Sequence, residues 1–272
     1  MGDAARASLH LIVLILLFKL FTTPLLILMA TWVSRRFGQA TGGWVLGLPL
    51  TSGPIAVFLA LEHGPQFAQA AASGSLGGVV GQAFFAAAYA SLARRWTWPV
   101  CVAGAILAFV ASALLVAQLG LPAAALFVAA CAALAAGLRM IGKPSMSTQS
   151  VPSPKWDVPV RMAVATALVL LITSVASRIG PSLSGLAATF PVFVIVLVVF
   201  AHRHEGPAAA QSLMRGLALG LFGFVGFFAA VSLFVTELAL PLAFTIALGV
   251  NLAIHGAAYL ILHRTPETTP LS

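Results

Sequence analysis

The sequence predicts an all-α fold, a polytopic transmembrane helical bundle of about nine helices in two inverted-topology four-helix repeats joined by one extra helix. Three observations predict it. Of the 272 residues, 61% are hydrophobic and only 7% are charged. That leaves too few polar side chains to cover a water-soluble domain of this length, which excludes soluble enzymes, nucleic-acid-binding domains, disulfide scaffolds and disordered tails. Apolar runs long enough to span a bilayer recur along the chain, and the sequence matches itself at one fixed offset.

Polar or Gly/Pro punctuation separates nine apolar runs, near 9–33, 40–61, 66–92, 98–117, 121–140, 158–177, 183–202, 207–234 and 239–262. The first has no small-residue cleavage site ahead of further hydrophobics, so it reads as a retained helix and not as a signal peptide. The segment from Gly142 to Asp157, GKPSMSTQSVPSPKWD, is the one sizeable polar stretch and reads as an exposed linker. The chain then divides into a first four-helix repeat (1–120), a connecting helix and cytoplasmic linker (121–157), and a second, inverted repeat (158–264). Cys101 and Cys131 fall in apolar stretches and read as small packing residues.

The net charge of +8 reads as topology, not as affinity for nucleic acid. Arg35, Arg36, Arg94, Arg95, Arg139, Lys143, Lys155, Arg203 and Arg264 gather on one side of the expected bundle. The other side holds Arg6 and Arg178 with Asp3, Glu62 and Glu237. The positive-inside rule makes the crowded side cytoplasmic, with the N-terminus outside and the C-terminus inside a bacterial cytoplasmic membrane. Trp32, Trp44, Trp96, Trp98 and Trp156 all fall at expected helix ends, where interfacial anchors belong.

Seventeen of the 64 residues from Arg36 to Pro99 recur 142 positions later without a gap. Nine of the seventeen are Gly or Pro, at Gly38, Gly43, Pro49, Gly64, Pro65, Gly74, Gly78, Gly81 and Pro99. These residue types fix backbone shape, so a fold recurs and not merely a composition. An odd number of crossings between equivalent points turns the second copy upside down, the design of many secondary transporters. The run Gly185-Leu186-Ala187-Ala188-Thr189-Phe190-Pro191, followed fifteen residues on by Gly206 after Glu205, resembles the GlpM-like family of small four-helix bacterial membrane proteins. Copy one keeps Pro49 and Gly64 at the same spacing. The resemblance spans about 110 residues of the second half and implies a fused pair of such units, with no chemistry attached.

Three groups of residues are candidates for function. In the second expected helix Pro49, Gly53 and Pro54 interrupt an apolar span that holds Thr51 and Ser52, and Thr189 and Pro191 occupy the equivalent level of the seventh. Such paired interruptions free backbone groups near the midplane and point to a substrate site. Lys19 inside the first helix would favour an anionic or strongly polar solute. Glu62-His63-Gly64-Pro65 with Gln69, and His204-Glu205-Gly206-Pro207 with Gln211, would form symmetric gates whose His–Glu contacts answer to pH. Gly74 and Gly78, with Gly216 and Gly220, line small-residue ridges expected to pack against each other where the two repeats cross. Arg161, Arg215, and the Asn251–His255 pair are further polar groups in apolar surroundings.

The expected function is that of a small inner-membrane transporter or facilitator moving a polar or anionic solute by alternating access. The alternative is a non-transporting scaffold or accessory subunit. No catalytic motif, cofactor signature or metal-ligand set is present in the sequence, so neither an enzyme nor a metalloprotein is expected. The expected partners are the lipid bilayer and a small-molecule solute, with no nucleic acid; a homodimer is compatible with the pattern.

Overall fold

The computed structural model describes residues 3–142, 156–176 and 189–263, with side chains for 20–142, 156–171 and 189–262. The Lys19 side chain, Arg178, Arg264, linker residues 143–155 and the run from Gly185 to Ala188 lie outside the described residues. Ten helices and no strand are found among the described residues. They are α1 (Asp3–Phe37), α2 (Gln39–Leu46), α3 (Ser52–His63), α4 (Pro65–Leu92), α5 (Trp98–Leu119), α6 (Ala123–Ile141), α7 (Asp157–Ala176), α8 (Val192–Glu205), α9 (Pro207–Phe234) and α10 (Leu240–His263).

The helix expected over 40–61 is two pieces. Pro49 has no N–H and its ring clashes with the turn before it, so the α2 ladder stops at Leu46. Tight turns close the gap, with Gly47 N donating to the Trp44 carbonyl and Leu50 N to the Leu48 carbonyl. Gly53 N then donates to the Pro49 carbonyl at 2.8 Å and α3 begins. Gly53 and Pro54, read as part of the interruption, instead sit in the first turn of α3, where a missing N–H costs nothing.

The 142-residue offset is visible in the elements themselves. α4 and α9 are each 28 residues long and begin at Pro65 and Pro207. Before each proline stands a glycine at positive φ, Gly64 at 86° and Gly206 at 88°, a conformation that side chains with a Cβ rarely adopt. The glycine ends one helix and the proline opens the next, so both copies turn alike.

α4 and α9 pack together and run antiparallel. Gln69, near the start of α4, donates to the carbonyl of Ser232 near the end of α9 at 2.8 Å, and Ser73 Oγ lies 3.2 Å from Ser232 Oγ. At the other end, Arg94 donates to the Met140 and Ile141 carbonyls and Arg215 to the Gly142 carbonyl at 2.5 Å. The C-terminus of α6, the connecting helix, is thus held from both copies. α1 also packs on its own counterpart, α7. One hydrophobic core runs through both copies, including Ile27, Leu76 and Tyr89 of the first and Leu197, Leu217 and Val231 of the second.

The glycine ridges do not pack against each other. A Cβ at Gly216 would overlap the Ala40 carbonyl, and one at Gly220 would meet the Trp44 carbonyl and Gly47. A Cβ at Gly78 would overlap the Thr189 side chain. Thr189 stands 142 positions after Gly47, and Gly220 stands 142 after Gly78. Gly216 and Gly220 thus lie against α2 and the start of its break, and Gly78 lies against Thr189 just ahead of α8. Where α4 and α9 meet, Gln69, Ser73 and Ser232 supply polar contacts.

Five described helices are long and apolar enough to cross a membrane: α4, α5, α6, α9 and, within α10, Leu240–Leu262. Large apolar side chains such as Leu107, Leu115, Val128, Leu248 and Leu252 point outward, as lipid-facing residues do. The chain has the build of a helical membrane protein.

Candidate functional site

The break between α2 and α3 and the start of α8 face one cavity of about 470 Å³. Its wall begins with Leu46, Leu48, Thr51 and Ser52 on one side and Thr189, Phe190, Pro191 and Phe193 on the other. It continues along Ile55 and Leu59 of α3, Ala70, Ala71 and Gly74 of α4, and Phe224 and Phe228 of α9. These residues carry the cavity from the breaks toward the end of the bundle marked by Glu62. A second cavity of about 270 Å³, between α4 and the α5–α6 pair, shares Gly74 and Thr189 with the first.

Polar groups at the wall are few and specific: Thr51, Ser52, Ser75, Gln82 and Thr189. Gln82, midway along α4, donates to the Thr189 carbonyl at 3.2 Å, a backbone acceptor that no helical ladder reaches. Ser75 Oγ donates back to the Ala71 carbonyl. The N-termini of α3 and α8 both border the cavity, so the positive ends of their dipoles lie beside the same space. Such a chamber can hold an apolar body with a hydrogen-bonding or anionic head.

Of the expected substrate residues, Thr51, Ser52, Thr189 and Pro191 line this cavity. Pro49 and Gly53 do not; Pro49 makes the break, and Gly53 is buried with the Phe227 ring in van der Waals range of an added Cβ. Among the ridge glycines, Gly74 has nothing within 4 Å of where a Cβ would stand and opens onto both cavities.

The expected gates are unlike each other. In copy one, Glu62 and His63 are exposed, and the His63 ring lies tilted against Phe67 with centroids 4.8 Å apart. Gln69 ties α4 to α9 and also approaches Thr236 Oγ1 at 3.4 Å. In copy two, His204 and Glu205 turn away to separate partners. Glu205 accepts from Gln39 Nε2 at 2.6 Å, and His204 Nε2 lies 3.5 Å from Asp157. Gln211 is half-buried in the second turn of α9.

Asp157 is the centre of a cluster that the sequence reading missed. Its fully buried carboxylate accepts from Arg35 at 2.6 Å and from Arg161 at 2.9 Å. Arg161, 2% exposed, also lies over the Phe200 ring at 4.7 Å. A signal was present in the Asp157-x-x-x-Arg161 spacing, which puts both groups on one helical face. In the sequence Asp157 closes the polar linker, and Arg35 bears only on topology.

Two of the remaining polar groups, Arg215 and His255, have structural partners, whereas the buried Asn251 amide has no hydrogen-bond partner among the described residues. Arg215 caps α6, as described above. His255 Nε2 lies 3.3 Å from the Trp44 carbonyl while Trp44 Nε1 donates to the His255 carbonyl, so this pair fastens α10 to α2. Asn251, one turn before His255 and on the same face of α10, is likewise buried. Cys101 is buried, and Cys131 is partly buried.

Compared with known proteins, the chain matches no family model, no curated protein and no solved structure.

Proposed function

We propose that this chain is a small carrier or facilitator of the bacterial cytoplasmic membrane, with its N-terminus outside and its C-terminus in the cytoplasm. It moves a small solute that has a polar or anionic head, by alternating access between two inverted copies of a GlpM-like unit. One observation carries the reading. The α2–α3 break at Pro49 and the start of α8 at the equivalent Pro191 meet at a single 470 Å³ cavity, each lying against a glycine of the other copy. A pure scaffold has no need of a chamber at that point, whereas a carrier whose site lies at the repeat interface requires one. The solute head would lie by Thr51, Ser52 and the N-termini of α3 and α8, and its body against Phe190, Phe193, Phe224 and Phe228.

Proteoliposome flux across a panel of labelled organic acids, polyols and neutral amphipathic solutes tests the reading. Flux of at least one solute is expected, cut by about tenfold in Thr51→Ala or Thr189→Ala and abolished in Pro49→Ala, which lets α2 run on through the break. Flux indifferent to all three substitutions would remove the site. No flux for any solute would favour the scaffold.

A further inference from the structure

We infer that the cluster around Asp157 is a one-sided latch that holds the two copies closed at the cytoplasmic end and sets the resting state as one in which the cavity faces the Glu62 end. The inference rests on the carrier reading for its purpose but on separate observations for its geometry.

The latch joins helix ends of different copies. Arg35 at the end of α1 reaches Asp157 at the start of α7, and Gln39 at the start of α2 reaches Glu205 at the end of α8. His204 of α8 lies against the other oxygen of Asp157. Arg161, one turn along α7, neutralises Asp157 from within its own helix. The carboxylate thus stays paired even when its partner from α1 leaves, so the tie can break without stranding a buried charge.

The latch closes the end that the cavity does not reach. Val194 lines the cavity wall, and Leu197 and Val198, one turn nearer Asp157 on the same face of α8, are buried. Toward Glu62 the wall instead continues through Leu59, Ala70 and Ala71.

Its central carboxylate and the two residues that reach it and Glu205 from copy one have no equivalents in the other copy. Lys19, Glu62 and His63 stand 142 before Arg161, His204 and Glu205, but Ile15 stands 142 before Asp157, and Ser177 and Pro181 stand 142 after Arg35 and Gln39. Exchange of the two copies' conformations would open the Asp157 end without building the same ion pairs at the other. The two access states are therefore unequal in energy, and a substrate or a charge change that loosens the latch shifts their populations.

Thiol labelling of the full chain in oriented membrane vesicles tests this, in a Cys101→Ala/Cys131→Ala background. A membrane-impermeant maleimide is applied from each face to Ala71→Cys and to Leu197→Cys. In the parent, Ala71→Cys should label from the Glu62 face and Leu197→Cys should stay protected from the Asp157 face. Adding Arg35→Gln, and then Gln39→Ala, should raise the Leu197→Cys rate from the Asp157 face by about tenfold and lower the Ala71→Cys rate. An unchanged Leu197→Cys rate overturns the latch. Rates that rise at both positions also overturn it, since general loosening and not exchange of access is then the result. If access exchanges while no solute is transported, the latch stands and the carrier reading falls.

Discussion

The segments Glu62-His63-Gly64-Pro65 and His204-Glu205-Gly206-Pro207 trace the same backbone to within a few degrees of φ at their glycines, yet their side chains lead different lives. The first pair is exposed. The second is drawn into a buried network with residues from three other helix ends. The two segments share what glycine and proline dictate, because a changed backbone would displace both flanking helices. Charges carry no such constraint, and the ion pairs found among the described residues lie at the Asp157 end. The lesson is that internal symmetry predicts shape well and polar function poorly.

The comparison can be broken most sharply at its charged centre. Asp157→Ala leaves Arg161 buried without its carboxylate and should lower stability by about 3–5 kcal/mol, whereas Glu62→Ala should leave the unfolding midpoint unchanged. Chemical unfolding in detergent measures both, and equal effects at the two ends would erase the asymmetry. A smaller contrast separates equivalent glycines. Gly216→Ala pushes a methyl group into the Ala40 carbonyl and should cost about 1–3 kcal/mol, while Gly74→Ala meets open space and should be neutral or slightly stabilising. Gly74→Ala should still narrow the cavity and slow flux, so stability and transport are expected to move apart there. Gln69→Ala should cost about 1 kcal/mol through its lost bond to the Ser232 carbonyl, and Gln211→Ala less; melting temperatures in micelles check the order. Smallest of all, Pro54→Ala should change stability by under about 0.5 kcal/mol, because the first turn of α3 does not use that N–H.

Much of the fold was legible because it is written in residues with a single conformational meaning. The Gly-Pro turns, the 142-residue offset and the break at Pro49 are of this kind. Even so, proline alone is ambiguous: Pro24 lies inside the unbroken α1, whereas Pro49 follows two residues after a glycine pressed against α9. The small-residue ridges announced close approach but not the partner, since spacing describes one helix face and nothing about what meets it. The candidate cavity was half legible. Thr51 and Thr189 could be found because each stands two residues from one of the equivalent prolines, Pro49 and Pro191, but Ser75 and Gln82 reach the chamber from α4, where only Gln69 stood out in the sequence. The Asp157 cluster was not legible as a unit, because Arg35 and Asp157 lie 122 residues apart and the search for repeated features passes over what occurs in only one copy.

Arg94 and Arg215 reach the end of α6 from opposite copies, Arg94 at the Met140 and Ile141 carbonyls and Arg215 at that of Gly142. Carbonyls that a helix cannot pair within its own last turn thus become a shared rivet. Removing one turn from the end of α6 would withdraw an acceptor from each arginine at once.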